Sequence, residues 1–368
     1  MNEVEVVVAH SERATLRVGD VFLKVDADQA RIDVEVEMVS LAPVPTPEIL
    51  WRKPPVLAIA ALPGTTLGRL GRPSTGSPAA WAAAGAAIRE QHPDLAGLDI
   101  REVAGGWGNQ MWRLGDELAV RMQRMDPTPE LQFNERRWLP VLAPCLPLPV
   151  PTPVRSGEPS PRFPKHWTVM TWVPGDPLDC SSISRGDHAA DALAGFLRAL
   201  HVEAPADAPV SGDRGGRPKE CADGFDRFFH AVVPDDLADD VRAVWDDAVA
   251  APEWEGPPLW VHGDLHPANV VVSDGTLSGV IDFGDICAGD PAWDLAAAWV
   301  VLPAGAASRF FDAYERADAG TIRRARGLAA LRSLFLMLMG RNGDLGLPGG
   351  KPAWGPAGRA ALERVLKG

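Results

Sequence analysis

The chain has 368 residues, 46% of them hydrophobic, and carries 36 Lys and Arg against 49 Asp and Glu for a net charge of −13. Such acidity excludes nucleic acid as a partner, because binding a phosphate backbone needs a basic face. No apolar run approaches the roughly 18 residues of a membrane span and no secretory leader follows Met1-Asn2-Glu3, so a soluble, cytoplasmic protein with no membrane contact is expected.

The chain opens on a duplication. Residues 21–92 and 117–201 follow one plan. Val21-Phe22-Leu23-Lys24-Val25 matches Glu117-Leu118-Ala119-Val120-Arg121-Met122, each a strand with a cation near its end. An acid follows each cation (Glu37 after Lys24, Glu135 after Arg121), and then comes a proline-rich run. Pro63-Gly64 matches Pro174-Gly175, and Ile88-Arg89-Glu90-Gln91-His92 matches Leu197-Arg198-Ala199-Leu200-His201 at the end of a helix. Two copies are too few for a solenoid, so the first is expected either to pack on something else or to be poorly ordered.

Further along, residues 100–122 read as a hairpin with Gly105-Gly106-Trp107-Gly108 at its first turn. Residues 130–142 have helical apolar spacing and stop at Pro144. Residues 168–173 read as a strand, and 187–201 as a helix with Ser184 as N-cap. Residues 204–224, rich in Pro, Gly and Asp, read as a loop, and 225–251 as an acidic helical stretch. Residues 203–257 hold fourteen Asp and Glu against five Lys and Arg. That surplus is either a solvated face or an electrostatic funnel for a cation. Residues 292–301, 306–317 and 321–339 read as closing helices. Cys145, Cys180, Cys221 and Cys287 form no C-x-x-C pair, so neither zinc nor a disulfide framework is indicated, and reduced, mostly buried thiols are expected.

The chemistry concentrates in Trp260-Val261-His262-Gly263-Asp264-Leu265-His266-Pro267-Ala268-Asn269, two apolar strands about a Ser273-Asp274-Gly275 turn, and Ile281-Asp282-Phe283-Gly284-Asp285. Phosphoryl transfer from a nucleotide needs these parts. A carboxylate, Asp264, aligns the acceptor hydroxyl, and two oxygen ligands, Asn269 and Asp282, hold Mg²⁺ against the phosphates. His262 and His266 are four residues apart, but Gly263 and Pro267 argue against the helix a zinc pair would need.

With Asp290-Pro291-Ala292-Trp293-Asp294-Leu295 following, the chain resembles the aminoglycoside phosphotransferase family over residues 99 to about 340. The resemblance implies an α+β, protein-kinase-like bilobal fold, ATP or GTP as donor, and a hydroxyl-bearing small-molecule acceptor. An aminoglycoside or similar polar amine fits, as does a choline-like amine, an amino-sugar or a macrolide. A nucleotide-binding regulator without turnover is the rival of a different class. The domains implied are a truncated N-lobe-like repeat (1–97), an N-lobe with hinge (98–175) and a helical C-lobe (176–368). Kinases carry a lysine on the third strand, but residues 99–164 contain none, and Arg121 takes that slot with Glu135 as partner. Gly105, Gly106 and Gly108 would cover the phosphates, and the hinge at Thr171 and Trp172 would receive the base. Asp294 would hold the backbone of the Asp264 loop.

Overall fold

The computed structural model describes residues 4–9, 13–26, 32–33, 36, 48–53, 56–60, 78–103, 109–123, 129–160, 163–212, 214–347 and 349–368. It divides into two compact units, Met1–Ser74 with Asn342–Gly350 and Thr75–Arg341 with Lys351–Gly368. Both are mixed α+β in character or built on antiparallel sheet.

In the first unit, strands β1 (Val4–Ala9), β2 (Arg13–Val18), β3 (Val21–Asp26), β4 (Ile49–Lys53) and β5 (Val56–Ala60) form an antiparallel sheet of order β1-β2-β3-β5-β4. Its small core is Ile32, Leu57 and Ile59, with Phe22, Val36 and Ile49 against them.

The second unit begins with another five-stranded antiparallel sheet. Its strands are β6 (Ile100–Val103), β7 (Asn109–Leu114), β8 (Leu118–Gln123), β9 (Pro153–Gly157) and β10 (Trp167–Thr171), in the order β6-β7-β8-β10-β9. That order repeats the first sheet's. The cations share a register too: Lys24 lies opposite Leu57 and Arg121 opposite Thr168, each cation fourth in its strand. The likeness extends upstream of residue 21, through β1 and β2. Glu37, the acid proposed for the first copy, lies outside the described residues.

Period-two alternation gives the second sheet two different faces. Trp112, Leu114, Val120, Met122, Trp167 and Val169 form one apolar face, which packs on Ala84, Ala87 and Ile88 of the helix Pro78–Gln91. So the helix that the repeat assigns to the first copy closes the second copy's sheet. Arg121 lies on the opposite face. There the helix Pro129–Leu142 turns Glu135, Trp138, Leu139 and Leu142 along one stripe, as a spacing of three and four residues requires.

The remainder is mainly helical around one large core. The helices are Gly186–Leu200, Ala222–Val232, Ala238–Ala250, Ala306–Tyr314, Ala319–Asp344 and Trp354–Lys367, with two single turns at Ala292–Leu295 and Ala297–Val300. Short strand pairs sit among them: β12 (Leu259–Val261) with β15 (Cys287–Gly289), and β13 (Val270–Ser273) with β14 (Thr276–Val280) and β11 (Asp176–Pro177). None of the helices among the described residues is long and apolar enough to cross a membrane.

Several sequence expectations shift. The stretch 100–122 is three strands, because Gly115 at φ 61 makes a second turn. The acidic stretch is two helices, broken where Pro234 enters between Ala222–Val232 and Ala238–Ala250. Ser184 does not cap its helix: its N–H donates to Gly275, and Arg185 holds the cap position without a side-chain bond. Of the four cysteines only Cys287 is buried, while Cys145 and Cys180 are exposed. The helix Trp354–Lys367 was not anticipated.

Candidate active site

The β13–β14 hairpin brings the parts of the motif together. Asp274 and Gly275 both have positive φ (51° and 74°), the conformation that Asp-Gly supplies to a two-residue hairpin turn. With Val270 opposite Val280, the residues flanking the hairpin also meet: the Ile281 N–H donates to the Asn269 carbonyl at 2.9 Å. Asn269 and Asp282 therefore emerge side by side from the two ends of one hairpin.

Asp282 has φ 62°, a left-handed conformation that costs a non-glycine residue energy and is found at sites where the surroundings enforce it. Its carboxylate is 47% exposed. Asn269 is buried, and its Nδ2 donates to the Asp264 carbonyl (2.9 Å) and to Asp264 Oδ2 (3.2 Å). That fixes the amide with its donors on Asp264 and its oxygen on the other side, where it could ligate a cation. An amide oxygen and a half-exposed carboxylate oxygen fit a hard cation that completes its shell with phosphate and water.

Asp264 is only 19% exposed, and three cationic or ring groups surround it. Arg332 Nη1 is 2.7 Å from Oδ1, Arg214 Nη2 is 3.9 Å from Oδ1, and His266 Nε2 is 3.4 Å from Oδ2. Burial would raise its pKa, but Arg332, His266 and Arg214 together hold the carboxyl well below the usual range. It is thus a poor proton acceptor and a good hydrogen-bond acceptor. Burial pushes the neighbouring Asp285 up, with Asp264 and Asp282 adding to the effect.

The loop carrying Asp264 is held from behind by Asp294, which is fully buried. Asp294 accepts the N–H groups of His262 (2.6 Å) and Gly263 (3.1 Å), and His201 Nε2 lies 3.3 Å away with its Nδ1 2.8 Å from the Tyr314 hydroxyl. His262 accepts the Asp264 N–H at Nδ1 and reaches the Ile281 carbonyl from Nε2 at 3.0 Å, which assigns its proton to Nε2. Gly263 has φ 84°, and a Cβ there would stand 2.4 Å from the Asp285 carbonyl oxygen, so no other residue fits. Its own carbonyl accepts from Trp293 Nε1 and Arg332 Nη2, both at 2.6 Å.

On the sheet side, Arg121 Nη1 meets Glu135 at 2.5 Å and Nη2 meets Asp282 at 3.3 Å. Although burial works against its charge, Glu135 and Asp282 raise the guanidinium's pKa, so Arg121 stays cationic. It joins the sheet to the Asp282 turn. At the hinge, the Thr171 N–H donates to Thr152 (2.9 Å) and the Trp172 N–H to Glu117 (2.7 Å). A base bound there would use their carbonyls or other groups. Gly105, Gly106 and Gly108 lie outside the described residues.

Two residues of this site, Arg332 and Arg214, have no place in the sequence motifs. Arg332 announces itself only as a lone cation in the apolar run Leu328–Met339, where an unpaired charge could not be buried.

The comparisons agree with this geometry. Residues 99–328 match the family described as "Phosphotransferase enzyme family". The chain is 30% identical over 146 residues to an aminoglycoside 3'-phosphotransferase of Escherichia coli, covering 37% of this chain and only about half (52%) of that relative. It is also 30% identical over 228 residues to a homoserine kinase of Acidiphilium cryptum (strain JF-5), covering 57% and 69%. Among solved structures, the GDP complex of wild-type aminoglycoside 2'-phosphotransferase-IIIa superposes with a TM-score of 0.59 at 19% identity, covering 78% of this chain and 98% of that one. A macrolide 2'-phosphotransferase type I gives a TM-score of 0.54 at 19% identity with the same coverage. These two share the fold. With the family match spanning most of the chain and the kinase-like fold built around Asp264, Asn269 and Asp282, the protein belongs to the phosphotransferase enzyme family.

Proposed function

We infer that the protein transfers the terminal phosphoryl group of ATP or GTP to a hydroxyl of a small molecule, in the cytoplasm where the nucleotide is. The observation that carries this reading is the meeting of Asn269 and Asp282 at the ends of one hairpin, with Asp264 bonded to the Asn269 amide. When bound, Mg²⁺ held by Asn269 and Asp282 supplies charge neutralisation for the phosphates. Asp264 accepts a hydrogen bond from the acceptor hydroxyl and aligns it. Its depressed pKa suits a loose transition state, in which the proton need not leave early. Arg121, fixed by Glu135, reaches toward the donor phosphates, and the segment of Gly105, Gly106 and Gly108 covers them. The hinge at Thr171 and Trp172 receives the base.

In this reading residues 98–175 are the N-lobe and hinge, 176–368 the C-lobe, and 1–97 a truncated second N-lobe that is dispensable for chemistry. The shared strand order and the shared register of Lys24 and Arg121 support the duplication.

The relatives named above include enzymes named for an aminoglycoside and for homoserine, so polycationic and amino-acid acceptors both come into view. A cationic acceptor drew its support from the acidic surplus of residues 203–257. Four of those fourteen acids stand in ion pairs: Asp207 with Arg137, Asp226 with Arg242, Asp247 with Arg323, and Glu253 with Arg217 and Lys219.

Titration of the protein with ATP and with GTP, each with and without Mg²⁺, tests the nucleotide site. Binding should require Mg²⁺ and weaken markedly in Asp282→Ala. Metal-independent binding, unchanged by that substitution, would contradict the assignment.

A further inference from the structure

We propose that His266 and Trp354 are positioning residues for phosphoryl transfer. Trp354, at the start of the C-terminal helix, holds the His266 ring so that its Nε2–H donates to Asp264 Oδ2 and leaves Asp264 Oδ1 for the acceptor hydroxyl. The role rests on the phosphotransfer reading above and brings the helix Trp354–Lys367 into it.

The proton on His266 is fixed by its own backbone. His266 is the N-cap of the single turn Pro267–Asn269, and its Nδ1 accepts the Ala268 N–H at 3.2 Å. A neutral ring that accepts at Nδ1 carries its proton on Nε2. Nε2 lies 3.4 Å from Asp264 Oδ2, a long contact of the kind that tightens when substrate binds.

A carboxylate offers about four lone-pair sites, two on each oxygen. On Oδ2 one site meets Asn269 Nδ2 at 3.2 Å and the other meets His266 Nε2. On Oδ1 one site takes Arg332 Nη1 at 2.7 Å. Arg214 Nη2, 3.9 Å from Oδ1, is beyond hydrogen-bond reach. The acceptor hydroxyl is therefore left the second site on Oδ1. Without His266 each oxygen has an open site and the carboxylate turns more freely about its Cβ–Cγ bond. A hydroxyl could then sit in two places, of which one is aligned with the phosphoryl group.

The imidazole is held in turn by a built support. His266 is buried, and its ring centroid is 4.7 Å from that of Trp354 with the planes at 58°. Trp354 is buried too, and its Nε1 donates to Asp179 Oδ2 at 3.0 Å. Asp179 follows β11, whose Asp176 and Pro177 pair with Val272 and Val271 of β13, the strand that starts directly after Asn269. A Cβ on Gly340 would stand 2.2 Å from Gly355 Cα. The helices Ala319–Asp344 and Trp354–Lys367 thus touch backbone to backbone where Trp354 begins the second. The first of them carries Arg332. One pair of helices sets both oxygens of Asp264, Oδ1 directly through Arg332 and Oδ2 through Trp354 and His266.

Two substitutions separate the donor role of His266 from its role as a cap. Asparagine places an amide oxygen where Nδ1 stands and nothing at the Nε2 position, whereas glutamine places an amide at the Nε2 position and leaves the cap open. The full chain is assayed with Mg²⁺-ATP and Mg²⁺-GTP for phosphoryl transfer to water, L-homoserine and kanamycin. His266→Asn should melt near wild type and lower kcat roughly 10- to 100-fold, the range for a lost hydrogen bond to a charged group, with the nucleotide KM little changed. His266→Gln should melt lower yet turn over faster than His266→Asn. Trp354→Leu should also lower kcat, and adding it to His266→Asn should lower kcat no further, because both act through one contact. An acceptor-free reading comes from proton NMR of the imidazole N–H groups. The His266 Nε2–H signal, identified by its loss in His266→Asn, should move in Asp264→Ala and in Trp354→Leu. Equal kcat in wild type and His266→Asn, a His266→Gln no faster than His266→Asn, additive losses in the double variant, or a signal unmoved in Asp264→Ala would each overturn the proposal and leave phosphotransfer standing. No transfer by wild type to any of the three acceptors would remove the phosphotransfer reading and this role with it.

Discussion

Arg332 grips the Asp264 loop twice, with Nη1 2.7 Å from the Asp264 carboxylate and Nη2 2.6 Å from the Gly263 carbonyl. The pairing joins residues far apart in the chain and spans the helix Ala319–Asp344 and the loop after β12. It both orients the carboxylate and holds it ionised.

Arg332→Gln should therefore lower kcat by about 100-fold, the scale of a misplaced reacting group. Removing the positive charge also lets burial raise the Asp264 pKa. The acid limb of the kcat/KM profile should move to higher pH than in the wild type. A profile with an unmoved acid limb would show that Arg332 acts on stability alone.

Asp294 is the other anchor of this loop, and its loss should be felt as stability. Asp294→Ala leaves the buried N–H groups of His262 and Gly263 without acceptors, at about 3 kcal/mol or more in total. Asp294→Asn, which keeps one acceptor oxygen, should cost less. Acid dependence carries the same signature. Burial would raise the pKa of Asp294, but His201 and the His262 backbone lower it, and Asp264 is lowered as well. Carboxyls depressed in the folded state add stability that is fully present above their unfolded pKa of about 3.9 and is lost as pH falls through the folded value. Denaturant midpoints should thus fall steeply only below about pH 4, and less steeply in Asp294→Asn.

Arg121 and Lys24 occupy the same register in their two sheets, and Arg121 is tied to the Asp282 turn. Arg121→Ala should raise the nucleotide KM and reduce kcat, and Arg121→Lys should retain part of the activity. Lys24→Ala should leave turnover near wild type. A damaging Lys24→Ala with a silent Arg121→Ala would assign the nucleotide to the first sheet.

How far these features could be read from sequence depended on how local they are. Asp264, Asn269 and Asp282 stand around one hairpin whose turn, Asp274-Gly275, is itself a sequence signal. Arg121 and Glu135 lie on adjacent elements, so their pairing followed from the strand and the helix that come next. Arg332 and Arg214 reach Asp264 through tertiary packing, which no local spacing encodes. The strand order of the first sheet was half legible, because β1 and β2 precede the residues where the repeat is recognisable. The role of the helix Pro78–Gln91 was hidden for a related reason. Its sequence matches the helix Gly186–Leu200, but its apolar residues are buried on a different partner.

That helix separates two truncations. A chain beginning at residue 75 keeps Ala84, Ala87 and Ile88 over Trp112, Val120 and Trp167, whereas one beginning at 98 exposes that face. Exposure of such an apolar surface costs several kcal/mol at about 25 cal/mol per Å². The shorter chain should melt lower or aggregate, while the longer one should retain turnover. Equal melting temperatures would show that the helix adds nothing to the second sheet.

The most direct measurement is turnover of a genuine acceptor by wild type and Asp264→Ala, with nucleotide affinity measured alongside. Phosphotransfer aligned by Asp264 predicts a kcat lower by several orders of magnitude and a nucleotide affinity close to wild type. Equal turnover by the two proteins would contradict it.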